Sequence, residues 1–278
     1  MPEDLQKSAK NFKARSGKHQ GILDPINAAR QFQLNRYLPS PGLAPFVEHY
    51  WIIRWDLRGQ PPYVFEVLPY PSVNLAFSAD RAWITGVTTG MYEYTAEGAG
   101  LIVGTMFKPG GFYAFWPQRI ATLTDKTLDA TEVFPEAHAD FRRALLDLSD
   151  DTQMAARLEE LLLARHPRAD RNLAFINTIV AAVVADRDLR TVEMAARQFH
   201  VSERTLQHLF QKYVGVGLKW VIMRYRLIEA AERAARLPKP NWADIAAELG
   251  YGDQAHFIND FRNMIGKSPL QYMQSIHS

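Results

Sequence analysis

The side chains best suited to chemistry in this sequence lie near its end, in GYGDQAHFINDFRNMIGKSP, residues 250–269. Phe257, Phe261 and Ile265 recur at helical spacing, and Gly266 with Pro269 closes the run. That pattern predicts a short helix anchored on one face. Gln254, His256, Asn259 and Arg262 fall on its other faces. An amide can make two hydrogen bonds to an adenine edge, and an imidazole can donate to a purine acceptor. A guanidinium can meet a phosphate or pack at the helix side. The chemistry on offer is hydrogen-bonded reading of a polar surface, with no bond made or broken.

Bond-making constellations are missing from the rest of the sequence. There is no serine elbow, no H-E-x-x-H and no glycine loop followed by lysine and Ser/Thr. KPGG (108–111) reads as a turn between a strand and a helix. The chain has no cysteine, which excludes disulfides, thiolate zinc sites and a cysteine nucleophile. Between residues 34 and 134 the only histidine is His49. Glu48 beside it would point to the opposite strand face. A metal-dependent cupin-type enzyme with a helical appendage is therefore the alternative reading. The expectation is no catalytic residues, no metal and no cofactor.

The 278 residues, 47% of them hydrophobic, suffice for about two domains. The start, MPEDLQKSAKNFKARSGKHQ, lacks the apolar core of a secretory signal, and no run reaches the length of a membrane span. A cytoplasmic, membrane-free protein is expected. The net charge is only +2, so any basic surface must be local.

Residues 1–33 read as a flexible, weakly basic tail. Residues 34–134 hold short aromatic and β-branched runs between turn signals such as RGQPP, PYPS and KPGG, which predicts a small barrel or sandwich. Residues 135–166 switch to helical spacing, with SDDTQ between two helices. Their apolar face could pair two protomers or pack on the barrel. From 168 onward all segments read as helices. Within them TVEMAARQFHVSERTLQHLFQKYVGVG (191–217) and NWADIAAELGYGDQAHFINDFRNMIGKSP (241–269) form an approximate repeat. Each has a capping residue, an alanine pair, a turn, a second capping residue and an apolar stripe. That is the pattern of two helix-turn-helix units, and LKWVIMRYRLIEAAERAARL would join them as one helix. Two such units on a rod suit successive major grooves of B-DNA, with Gln254, His256 and Asn259 toward bases.

AARQFHVSERTLQHLFQKYVG, the YRLIEAAERA helix and above all DIAAELGYGDQAHFINDFRNMIGKSP resemble the AraC family of bacterial transcription regulators. The resemblance covers about residues 170–275 and implies a seven-helix domain with two helix-turn-helix units. It places base contacts at Arg204, Gln207 and His208 in the first unit, and at Gln254, Ala255, His256 and Asn259 in the second. Phosphate contacts are implied at Ser202, Thr205 and Lys212. His200 stands where the family usually has the turn glycine, and His208 and Asn259 where it commonly has arginine. The N-terminal part looks more loosely like the cupin-like barrels that precede this domain. The fold class expected is thus α+β multidomain: a β-barrel with trailing helices at 34–167 and an all-α domain at 168–278. The function implied is a sequence-specific, DNA-binding transcription regulator. Its partners would be double-stranded DNA, a second copy, RNA polymerase where it activates, and a small organic effector in the barrel. Trp51, Trp55, Phe65, Trp83 and Phe107 could line the effector pocket or simply fill the barrel, with Glu66 and Asn74 as polar candidates.

Overall fold

A computed structural model describes residues 31–235, 237 and 240–277. The tail expected at 1–33 lies almost wholly outside the described residues. Eight strands follow: β1 (Phe32–Tyr37), β2 (Val47–Asp56), β3 (Tyr63–Val67), β4 (Asn74–Phe77), β5 (Ala82–Thr85), β6 (Tyr92–Ala96), β7 (Ala99–Phe107) and β8 (Thr127–Asp129). Six form one antiparallel sheet in the order β1-β2-β7-β4-β5-β8, and β3 pairs with β6 in a second.

Alternation along β2 explains the layering, because successive side chains point to opposite faces. Tyr50 and Ile52 join Leu75, Phe77, Val103 and Phe107 in one core. Trp51 and Trp55 face the other way and pack with Ala76, Trp83 and Ile102 against Phe65 of the two-stranded sheet.

The first face is covered by α1 (Ala139–Leu146) and α2 (Asp151–Leu163). Asp150 caps α2 by accepting from the Thr152 and Gln153 amides. Phe141, Leu145, Met154, Leu158, Leu161 and Leu162 all lie in the sheet's core. The stripe that could have formed a dimer seam is therefore buried within the chain, so pairing of two copies would need another surface. Glu159 is buried in this layer and accepts from the Tyr50 hydroxyl at 2.7 Å.

Seven helices then run to the end of the described chain: α3 (Arg171–Ala185), α4 (Val192–Gln198), α5 (Glu203–Tyr213), α6 (Leu218–Ala234), α7 (Trp242–Glu248), α8 (Gln254–Ile265) and α9 (Pro269–His277). They hold two cores. Ile179, Val183, Ala195, Leu206, Phe210 and Val221 build the first. Leu227, Ala231, Ile245, Phe257, Phe261 and Ile265 build the second. Helix α6 supplies residues to both. Its Arg226 donates to the Val183 carbonyl at 2.8 Å and to that of Asp186, satisfying the open end of α3.

Candidate nucleic-acid interface

In the first unit, Thr191 caps α4 through the Met194 amide at 3.1 Å. Ala195 and Ala196 are buried and let α5 approach. The turn passes through His200 at φ 54°. Ser202 then caps α5 by accepting from the Thr205 amide at 3.1 Å, and the two hydroxyls lie 2.8 Å apart. Leu206, Phe210 and Tyr213 hold α5 to the core, which leaves Arg204, Gln207 and His208 exposed on its N-terminal half.

The second unit repeats this plan. Asn241 caps α7, and Ile245 and Ala246 are buried. Gly250 makes the turn at φ 83°, a left-handed conformation that glycine adopts without a Cβ penalty. Asp253 accepts from the Ala255 and His256 amides at 2.7 and 3.0 Å. Phe257 and Phe261 are fully buried, each contributing roughly 1.5–3 kcal/mol of apolar transfer. Gln254, Ala255, His256, Asn259 and Arg262 face solvent. His256 is oriented by its neighbours: Nε2 lies 3.4 Å from Asp260 Oδ2, and the ring meets Tyr251 edge-on at 5.3 Å. Tyr251 also donates to Asp260 at 3.0 Å, and burial first, then that carboxylate, pushes its hydroxyl pKa up.

Lys212 makes a contact that its place in the sequence did not suggest. Its ammonium sits 5.2 Å over the Tyr113 ring of the sheet domain and 5.5 Å over Tyr213. The hydrogen bond to Tyr113 raises its pKa. Lys212 immediately precedes the buried Tyr213 and is itself half-buried.

The seven effector candidates do not form one pocket. Trp51, Trp55, Phe65 and Trp83 fill the space between the two sheets. A Cβ at Gly100 would stand 2.1 Å from the Trp55 indole, and one at Gly104 2.3 Å from Trp51. The two glycines admit those rings, which pack between the two sheets. Phe107 lies on the opposite face of the sheet, against Phe112 and Phe115. Glu66 accepts from Lys267 of the helical domain at 2.6 Å. Asn74 opens β4, opposite Thr85 and Met106. His49 is buried in β2, and among the described residues no three histidine or carboxylate side chains converge as a metal site would require.

Sequence reasoning missed the groups that join the two domains. Tyr113 and Tyr213 stack with centroids 4.1 Å apart, and the Tyr213 hydroxyl donates to Asp170 at 2.6 Å. Beside them is an open cleft of about 320 Å³, lined among others by Tyr113, Pro117, His166, Arg168, Asp170 and Tyr213. Arg224 is buried against Tyr70. No local spacing encodes such pairs, nor the Glu66–Lys267 pair, 201 residues apart.

Residues 195–275 match a family model described as a helix-turn-helix domain. The C-terminal domain thus carries a helix-turn-helix domain over residues 195–275. Residues 35–129, which hold most of the sheet, match a domain of unknown function, DUF6597. The regulatory protein PocR of Salmonella typhimurium is 33% identical over 92 residues, 32% of this chain and 29% of PocR. The putative HTH-type transcriptional regulator YkgA of Escherichia coli is 33% identical over 82 residues, 30% of this chain and 34% of YkgA. The chain thus spans about a third of the length of these curated relatives. Among solved structures, ToxT from Vibrio cholerae aligns over 89% of this chain and 100% of its own at 10% identity, with a TM-score of 0.40. The helix-turn-helix match begins inside α4 of the first unit and takes in all of the second.

Proposed function

We propose that the protein is a sequence-specific DNA-binding transcription regulator. In this reading residues 168–278 bind double-stranded DNA in the cytoplasm, and residues 34–167 form a sensing domain with no catalytic role. The observation that carries it is the duplicated presentation of side chains. Arg204, Gln207 and His208 project from the capped start of α5, and Gln254, Ala255, His256 and Asn259 from that of α8, each helix being fixed from behind by buried aromatic and aliphatic residues. Arg suits guanine O6/N7, Gln and Asn suit adenine N6/N7, and the exposed helix starts offer N–H groups to phosphates. In this reading Ser202 and Thr205 meet phosphates beside the first groove. RNA polymerase is the further partner at promoters the protein activates. A small organic effector would enter the cleft beside Tyr113 and Tyr213, where both domains would feel it, since the space between the sheets is filled.

Selection from a random duplex pool, followed by sequencing, tests this. Two enriched blocks about one helical turn apart are expected. No retention at low salt refutes DNA binding.

A further inference from the structure

Each helix-turn-helix unit touches a different part of the sheet domain. The second unit rests on the end of the two-stranded sheet. Lys267, just after α8, donates to Glu66 of β3 at 2.6 Å. Leu68 joins the second helical core. Met91 lies against Gly266, where an added Cβ would meet its side chain at 3.2 Å. Arg224 of α6 donates from Nε to the Pro69 carbonyl at 2.8 Å, with its guanidinium 3.9 Å from the Tyr70 ring. The first unit rests on the segment after β7. Tyr113 stacks on Tyr213, and Thr124 donates to the Gly215 carbonyl at 2.7 Å.

We infer that the sheet domain is a clamp that positions the two reading helices relative to each other, with Glu66 and Lys267 as positioning residues for DNA recognition. Among the described residues helix α6 supplies side chains to both helical cores, and one helix leaves twist and bend between the units soft. The sheet domain adds a second connection and closes a ring of three bodies. Rotation of one unit against the other must then break the Glu66–Lys267 side or the Tyr113–Tyr213 side. All the base-facing residues named above stay exposed in this arrangement, so the clamp holds the units from behind and leaves their reading faces open. A rigid pair accepts one spacing between its two base blocks, because it does not lose inter-unit freedom on binding. The inference rests on the DNA-binding reading for its consequence, though not for its geometry.

The absence of cysteine makes the geometry measurable in the full chain. Spin labels at Glu203→Cys and Arg262→Cys, both exposed, report the distance between α5 and α8 by double electron–electron resonance. A narrow distribution is expected. Glu66→Lys sets two ammonium groups face to face and should broaden it, and Glu66→Lys with Lys267→Glu should narrow it again. An unchanged width in Glu66→Lys, or no recovery in the charge swap, overturns the clamp. In the unlabelled chain, Glu66→Lys should bind its best duplex about tenfold more weakly and accept spacings about one or two base pairs off, with each block unchanged. Tighter binding by Glu66→Lys would make the sheet domain an inhibitor and also overturn it. Distances that respond as expected, in a protein that retains no duplex, would sink the DNA-binding reading and leave the clamp standing.

Discussion

The two turns offer a matched test of backbone strain. His200 lies at φ 54° and Gly250 at φ 83°, at equivalent places in the two units. A residue with a Cβ in this region costs roughly 1–2 kcal/mol. A Cβ at Gly250 would have Arg190 Cδ as its nearest neighbour, at 4.0 Å, so Gly250→Ala meets open space and the whole cost is conformational. Alanine also restricts the unfolded chain, which returns about 0.5–1 kcal/mol. The expected net loss is about 0.5–1 kcal/mol. His200 is exposed, so His200→Gly loses no packing and should gain about the same amount by the reverse argument. Urea unfolding of the full chain, followed by a helical signal, reads each variant against the parent. With a slope of about 2 kcal/mol per molar, the midpoints should move by about 0.2–0.5 M in opposite directions. A lower midpoint in His200→Gly, or none lost in Gly250→Ala, would refute the strain argument.

Arg204→Ala should cost about 1–3 kcal/mol on the preferred duplex and far less on duplexes altered at the contacted base, measured by competition. Equal loss on every sequence would remove Arg204 from the base contacts. Lys212→Ala should leave the slope of affinity against salt unchanged, since its ammonium lies on Tyr113; a slope reduced by nearly one would return it to the phosphates. Phe257→Ala should destabilise the second unit by about 3–5 kcal/mol in thermal melts, whereas a loss under about 1 kcal/mol would show that α8 is not anchored there. Burial, then Asp151, push Tyr37 up to about 12 from its usual 10. The neutral phenol is thus favoured in the fold, so its contribution is full below pH 10 and falls between pH 10 and about 12. Tyr37→Phe should flatten the alkaline limb of the stability curve in that window; an unchanged limb would exclude Tyr37 from it.

The helical half was legible because its signals are local. Thr191, Ser202, Asn241 and Asp253 each announce a helix start, and each side chain accepts an orphan amide. The stripe Phe257, Phe261, Ile265 named the buried face directly. The sheet half was legible only as strands and turns. Period-two alternation says that Trp51 and Ile52 face opposite ways, yet not which face meets helices and which meets a second sheet. That is why Phe107 was grouped with Trp55 although the sheet separates them. Lys212 shows a related limit. A lysine late in a recognition helix suits a phosphate, and only the distant Tyr113 shows that it is already engaged.

Helix α6 has a consequence for how the domain melts and is cut. Its early residues Leu218, Val221 and Ile222 complete one core, and its later residues Leu227, Ala230, Ala231 and Ala234 complete the other. Removing either unit would strip one side of this shared wall and expose a row of aliphatic side chains to water. The domain should therefore unfold as one cooperative block. A protease that cuts within it should leave aggregating pieces, with no stable half-domain to isolate.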